Sequence, residues 1–221
     1  MRITMARSFA VIGLGTFGST IARELARFGD HVLGIDTDEK RVSQIADHIP
    51  EAIIADATDE AAMRDAGLGR YDVVIIAIGE DLEANLLCTM NARVLGVKTI
   101  WVKALNRTHH RILNKLGVDR IIHPEELVGK HTAQILHNPF IQDYVSLGNG
   151  YHIFTYELPT TAQTTLGSLA LKQRFHLRCL GVMRGPNYID CLQDDFVLQP
   201  EDKIMVLGRR TDLRQFSDSL Q

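Results

Sequence analysis

Cysteine is scarce in this chain: three residues in 221, Cys88, Cys179 and Cys191, odd in number and far apart. That usage excludes a disulfide framework or a thiolate metal cluster and reads as reduced, cytoplasmic cysteine. An excess of charge is missing too. Lys and Arg number 24 against 27 Asp and Glu, a net charge of −3, which leaves no electrostatic footprint for nucleic acid. No apolar run approaches the roughly 18 residues that span a bilayer. The opening MRITMARSFAVIG lacks the apolar core and cleavage site of a secretory leader. Aromatics amount to 6%, with one tryptophan, Trp101, inside an apolar run and expected in a core. Low-complexity tracts and short repeats are absent as well. What remains, 45% hydrophobic and 23% charged, suits an ordinary globular protein.

The informative stretch is FAVIGLGTFG, residues 9–18. An apolar run ends in Gly13, Gly15 and Gly18, and helical periodicity begins at once. Gly13 permits a tight turn, Gly15 lets a backbone approach phosphates, and Gly18 lets the helix lie close to the strand. The helix start then aims unpaired N–H groups at an anion.

The context repeats. Apolar, β-branched runs at 9–12, 31–35, 52–55, 72–78, 99–102 and 120–122 alternate with helical patterns. One helix sets Ile21, Leu25 and Phe28 on a face; another, over 82–95, sets Leu86, Met90 and Val94 on a stripe. Such alternation predicts an α/β fold, a Rossmann-like parallel sheet with helices on both faces. A helix over 125–137 follows, stopped by Asn138-Pro139, then a second helical segment near 140–144. Gly148-Asn149-Gly150 reads as a break. Beyond it, strands at 152–157, 177–183, 188–192 and 203–207 and helices at 166–174 and 212–220 predict a small α+β domain, with Gly185-Pro186-Asn187 as a hairpin turn. The expected domains are 1–137 and 138–221.

Ligands of an open parallel sheet bind beyond the carboxyl ends of its strands. Those ends carry Gly13 and Gly15, then Asp36, then Asp56-Ala57-Thr58, then Ile78-Gly79, then Lys103, then His123-Pro124-Glu125. Asp36 lies where an acid accepts from ribose hydroxyls, and its charge disfavours a 2′-phosphate. Asp56 and Thr58 either contact a base or cap the next helix. Gly79 admits a close backbone approach, and Lys103 is a candidate phosphate partner or simply a solvated strand-end lysine. The adjacent His109 and His110 point in different directions on a helix and lack an i,i+4 ligand pair. Cys179 and Cys191 fall in strands as small core residues. No Tyr-x-x-x-Lys pair or His–Asp constellation follows, so nucleotide binding fits better than nucleotide chemistry.

The chain resembles the cytosolic regulatory subunits of bacterial Trk/Ktr-type potassium uptake systems, built from RCK domains. The resemblance rests on FAVIGLGTFG, GIDTDEKRV, IIADATDE, VVIIAIGED and RIIHPEELVG in order, then TLGSLAL, VMRGPNYI and LQPEDKIMVLGRRTDLRQF. It implies an adenine nucleotide, ATP or ADP with NAD(H) also open. Gly13, Gly15 and Gly18 would hold phosphates, with Thr16 and Phe17 on the same turn. Asp36 would hold the ribose, Asp56, Ala57 and Thr58 would surround the base, and Ile78, Gly79 and Lys103 would line the rest. Glu125 would face a partner subunit's nucleotide through a divalent cation. Thr16 stands where close Ktr subunits have arginine; a hydroxyl can bond a terminal phosphate but supplies no charge. The resemblance further implies a non-enzymatic subunit that pairs, forms a ring of eight and docks on the cytosolic face of a potassium-translocating membrane protein. The small C-terminal domain would sense a second ligand, an ion or cyclic dinucleotide, or serve as a dimerisation module. An NAD-dependent oxidoreductase, or a nucleotide sensor unconnected to transport, are the alternatives.

Overall fold

Strand and helix alternate without exception through the first part of the chain. They run β1 (Ser8–Ile12), α1 (Thr16–Arg27), β2 (His31–Asp36), α2 (Glu39–Ala46), β3 (Glu51–Ile54), α3 (Glu60–Asp65), β4 (Val73–Ile76), α4 (Leu82–Val94), β5 (Thr99–Lys103), α5 (Arg107–Lys115) and β6 (Arg120–Ile122). The structure, a computed structural model, describes residues 7–137, 140–157, 164–190 and 193–220. All six strands pair in parallel in the order β3-β2-β1-β4-β5-β6. The direction of winding reverses between β1 and β4, which makes a crevice at their carboxyl ends. Alternate residues of β1 enter different cores. Ala10 and Ile12 join Val74, Ile76 and Ile100, whereas Phe9 and Val11 join Val32, Val73 and Ile75. The sheet is therefore covered on both faces, and its strands read as continuous apolar runs for that reason.

Helices α2, α3, α4 and α5 start at Asp38, Asp59, Asp81 and Asn106, each side chain accepting first-turn N–H groups. This is the ordinary way to satisfy a helix start.

The chain divides into two compact units at Pro124/Glu125. In the second, α6 (Pro124–His137) precedes β7 (Ile141–Gly148), β8 (Tyr151–Glu157), β9 (Thr164–Thr165), α7 (Leu171–Phe175), β10 (Arg178–Arg184), β11 (Asn187–Ile189), β12 (Val197–Leu198), β13 (Lys203–Arg209) and α8 (Arg210–Asp218). The antiparallel order is β11-β10-β13-β8-β7, with β12 and β9 as a separate pair. Tyr156 centres its core: fully buried, its hydroxyl donates to the Leu213 carbonyl at 2.9 Å and lies 2.8 Å from Ser217 Oγ. The β10–β11 hairpin turns at Gly185-Pro186, pairing Arg184 with Asn187.

Several expectations need correction. Residues 140–144 are not helical; most of them open β7, where Tyr144 pairs with Phe154. The Gly148-Asn149-Gly150 break is the turn of that hairpin rather than a boundary. All three residues are left-handed, at φ of 84°, 51° and 80°, a reversal that suits glycine and asparagine. The helix expected over 166–174 is interrupted. A 3-10 turn at Gly167–Leu169 meets α7 at Ala170, whose φ is 46°. The end of the strand expected over 188–192, with Cys191, lies outside the described residues. On α4 the apolar stripe is split: Leu86 packs against the core, whereas Met90 and Val94 are 50% and 64% exposed. The buried residues are Asn85, Cys88, Thr89 and Ala92. Phe28, at the end of α1, is exposed too. Periodicity locates a stripe but does not say which side the sheet is on.

Candidate functional site

Helix α1 differs from its neighbours at the crevice. Its N-cap is Gly15, with no side-chain cap bond and no acid in the first turn. Its first N–H groups are left to an outside acceptor. A Cβ placed on Gly15 would meet nothing within 4 Å, so the space beside it is open. Gly18 is the opposite case. Its Cβ would lie 1.9 Å from the Gly13 carbonyl oxygen, so only glycine lets α1 sit this close to β1. Gly13 has φ +92° and donates to the Ile35 carbonyl at 2.8 Å. Turn, strand end and helix start are thereby locked, and Thr16 is exposed at the front of the helix.

Asp36 is buried at the end of β2. Its Oδ2 accepts from Leu14 N–H at 2.7 Å and its Oδ1 from Asp38 N–H at 2.9 Å, with Arg41 Nη1 at 3.5 Å from Oδ2. The carboxylate therefore ties the glycine turn to β2, a role that sequence position alone did not reveal. Its remaining lone pairs are what a ribose could use. After β3, Asp56 Oδ1 accepts from both the amide and the hydroxyl of Thr58, at 2.9 and 2.7 Å. The Thr58 hydroxyl first, then its amide, holds the Asp56 carboxyl below the usual range against a small opposing effect of burial. Asp59, not Asp56, caps α3, so Asp56 and Thr58 do not serve as the helix cap. Ala57 is buried between them.

Lys103 ends β5, and its side chain crosses to the neighbouring strand end. A Cβ on Gly79 would come within 2.7 Å of Nζ, and Nζ lies 5.9 Å from the centre of the Phe17 ring. Lys103, Gly79 and Phe17 are thus brought together, with Ile78 flanking Gly13. Two residues that sequence reasoning missed hold these loops. Asn85 donates to the carbonyls of Ile78 and Lys103, and Asn91 to those of Ala57 and Thr58. The available signal was an amide amid the apolar residues of α4. Glu125 lies in the first turn of α6, in the second unit, apart in the chain's division from the other candidates.

His109 serves the scaffold. His109 is 1% exposed, and its Nδ1 accepts from Leu105 N–H at 3.2 Å. Burial, and then the charge of His123, pushes its pKa down. His110 Nδ1 and His123 Nε2 are 2.9 Å apart with nearly parallel rings. Among the described residues no group of three or more His, Cys, Asp or Glu could hold a metal ion. None of their helices is long and apolar enough to cross a membrane. In the second unit a cavity of about 420 Å³ opens beside Arg178, Cys179, Tyr188 and Asp190. Burial there raises the Cys179 thiol above its usual range, which makes it a poor nucleophile.

Comparison with known proteins agrees with this architecture. The TrkA-N domain family model matches residues 9–124. The chain is 35% identical over 213 residues to Ktr system potassium uptake protein C of Bacillus subtilis, spanning 96% of each chain. It is 36% identical to Ktr system potassium uptake protein A of Vibrio alginolyticus, spanning 97% of this chain and 98% of that one. Among solved structures, the GsuK channel bound to NAD superposes with a TM-score of 0.65 at 14% identity, covering all of this chain and 40% of that one; this likeness is one of fold. The first unit is a TrkA-N domain, and the chain as a whole belongs to the family of Ktr system potassium uptake proteins.

Proposed function

We propose that this chain is a cytoplasmic, non-enzymatic regulatory subunit that binds an adenine nucleotide and gates a potassium-translocating membrane protein. The observation that carries the reading is the α1 start. A glycine turn locked on both sides presents uncapped N–H groups beside open space, where four neighbouring helices use an Asp or Asn side chain. Phosphates fit that place. Gly13, Gly15, Thr16, Phe17 and Gly18 would form the phosphate turn, Asp36 would hold the ribose, Asp56, Ala57 and Thr58 would surround the base, and Ile78, Gly79 and Lys103 would close the site. The GsuK channel of the same fold binds NAD, and its ADP half is shared with ATP and ADP, so all three nucleotides are candidates.

The site favours binding over chemistry. Both oxygens of Asp36 are engaged by backbone N–H groups, and the nearby thiol of Cys88 is pushed up to about 12, by burial first. Asp36 and Cys88 are therefore poor choices for a general base or nucleophile. Glu125 would take part through a divalent cation whose other ligands are nucleotide phosphates, since one carboxylate makes no site alone. Subunits would pair and form a ring of eight, with α6 as the crossover between domains. A nucleotide biases such an assembly only through unequal affinity for its two arrangements.

Calorimetric titration of the nucleotide-free protein with ATP, ADP, NADH and AMP, with and without magnesium, tests this. Unequal ATP and ADP binding, a magnesium effect lost in Glu125→Gln, and an oligomer by light scattering are expected. Hydride transfer to a substrate, or a monomer with every nucleotide, would overturn it.

A further inference from the structure

We infer that helix α4 sets the geometry of the proposed nucleotide site through two positioning residues, Asn85 at the phosphate end and Asn91 at the base end. The inference rests on the nucleotide reading above.

Asn85 is 0% exposed and sits within a helix, where asparagine is a poor choice for propensity. A buried amide is costly unless it is hydrogen-bonded. Its Nδ2 donates to the Ile78 carbonyl at 2.8 Å and the Lys103 carbonyl at 3.1 Å. The reversed amide would set Oδ1 against two carbonyl oxygens, so this orientation is the bonded one. These two acceptors belong to the segments that leave the carboxyl ends of β4 and β5. One side chain therefore fixes the gap between them. It also fixes the root of Lys103, whose side chain lies across Gly79 toward Phe17.

Asn91 repeats the device on the loop after β3. Its Nδ2 donates to the carbonyls of Ala57 and Thr58 at 3.0 and 2.9 Å. The Asp56 carboxylate holds Thr58 from the other side. Thr89, another buried polar residue of α4, shows the contrast: its hydroxyl donates at 2.8 Å to the Asn85 carbonyl of its own helix. The two amides instead reach off the helix, and their four acceptors are all backbone carbonyls at or just past strand ends.

The two ends of the site are thus held separately, and that separation is testable. ATP and AMP affinities are measured for wild type, Asn85→Ala, Asn85→Ser, Asn91→Ala, Lys103→Met and the Asn85→Ala/Lys103→Met double variant, with folding checked by circular dichroism. Asn85→Ala is expected to weaken ATP about 10-fold and AMP less than about 3-fold, because loss of Lys103 placement is felt most by the more highly charged ligand. Asn85→Ser falls between, since one hydroxyl proton serves one carbonyl; it also carries the test if the alanine variant does not fold. In the Lys103→Met background the Asn85→Ala effect on the ATP-to-AMP ratio should vanish. Asn91→Ala should weaken both ligands equally, about 10-fold, leaving the ratio unchanged. Equal losses for ATP and AMP in the Asn85 variants, additivity with Lys103→Met, or no loss in Asn91→Ala would overturn the inference and leave nucleotide binding intact. Wild-type protein that binds no nucleotide would overturn the reading beneath it.

Discussion

In the first unit all strands run the same way, so six carboxyl ends meet along one edge. In the second they alternate, so consecutive ends fall on opposite edges. The placement of polar groups follows. Asp36, Asp56, Asn85, Asn91 and Lys103 gather at or just behind the shared edge of the parallel sheet. The antiparallel unit instead uses an ion pair with one buried member, Asp202, and a partly exposed one, Arg184, as a staple. Asp202, 2% exposed, receives Arg184 through both oxygens at 2.9 and 2.7 Å, and Gln199 N–H at 2.8 Å. Direction of the chain, more than residue type, decides whether polar groups assemble a site or fasten a fold.

The largest expected effect comes from a single methyl group in the first unit. Gly18→Ala meets the Gly13 carbonyl and should cost about 4 kcal/mol, an overpacking that cannot relax, read by urea unfolding. Gly15→Ala sharpens the contrast. Its methyl enters open space, so stability should fall by less than ~1 kcal/mol while nucleotide affinity drops more than about 10-fold. Equal effects on stability would break the distinction between a packing glycine and a binding glycine.

Next in size, Arg184→Leu should destabilise the second unit, read as a lower urea midpoint, because the buried Asp202 carboxylate loses its side-chain partner and keeps only the Gln199 N–H. Nucleotide titration should be unchanged, and a loss of binding would show that the units are not independent in this respect. Smaller still, Asp81→Ala removes the cap bond to Ala84 N–H and should cost about 1 kcal/mol, seen as a lower melting temperature.

The smallest effect is a pH dependence. Burial, then the charge of His123, holds His109 below the ordinary imidazole value of 6.5. The unfolded chain then takes up a proton that the native state refuses. Stability is full above pH 6.5 and declines as pH falls below it. Melts at pH 7.5 and 5.5 should show that decline, and His109→Gln should flatten it. A melting temperature unaffected by this substitution across the range would remove His109 from the account.

The sheet was legible because buried parallel strands leave continuous apolar runs such as 73–76, and because Gly13, Gly15 and Gly18 mark where one of them turns. The strand β7 was not, since it is mostly exposed and lacks the alternation that marks a half-buried strand. The short β9 and β12 leave too few residues for any period to register. At the candidate site, the positions of the glycine turn and of the strand ends could be read from spacing. Asn85 and Asn91 could not, because their partners are backbone carbonyls, which every residue offers alike. The exposure of Met90 and Val94 on α4 was hidden for a related reason: much of the inner face is taken by Asn85, Cys88, Thr89 and Ala92, so those two larger apolar residues were left outside.

The Gly148-Asn149-Gly150 turn also has a kinetic side. It joins two of the longest strands through a reversal that three left-handed residues set locally. A hairpin of this kind closes on the microsecond scale. The pairing of Phe9 with Val73 must instead wait for two intervening strand–helix units and their long crossover, which slows parallel sheets. Refolding should therefore begin in the C-terminal half, with the crevice at the carboxyl ends of the parallel strands the last region to acquire protection from hydrogen exchange.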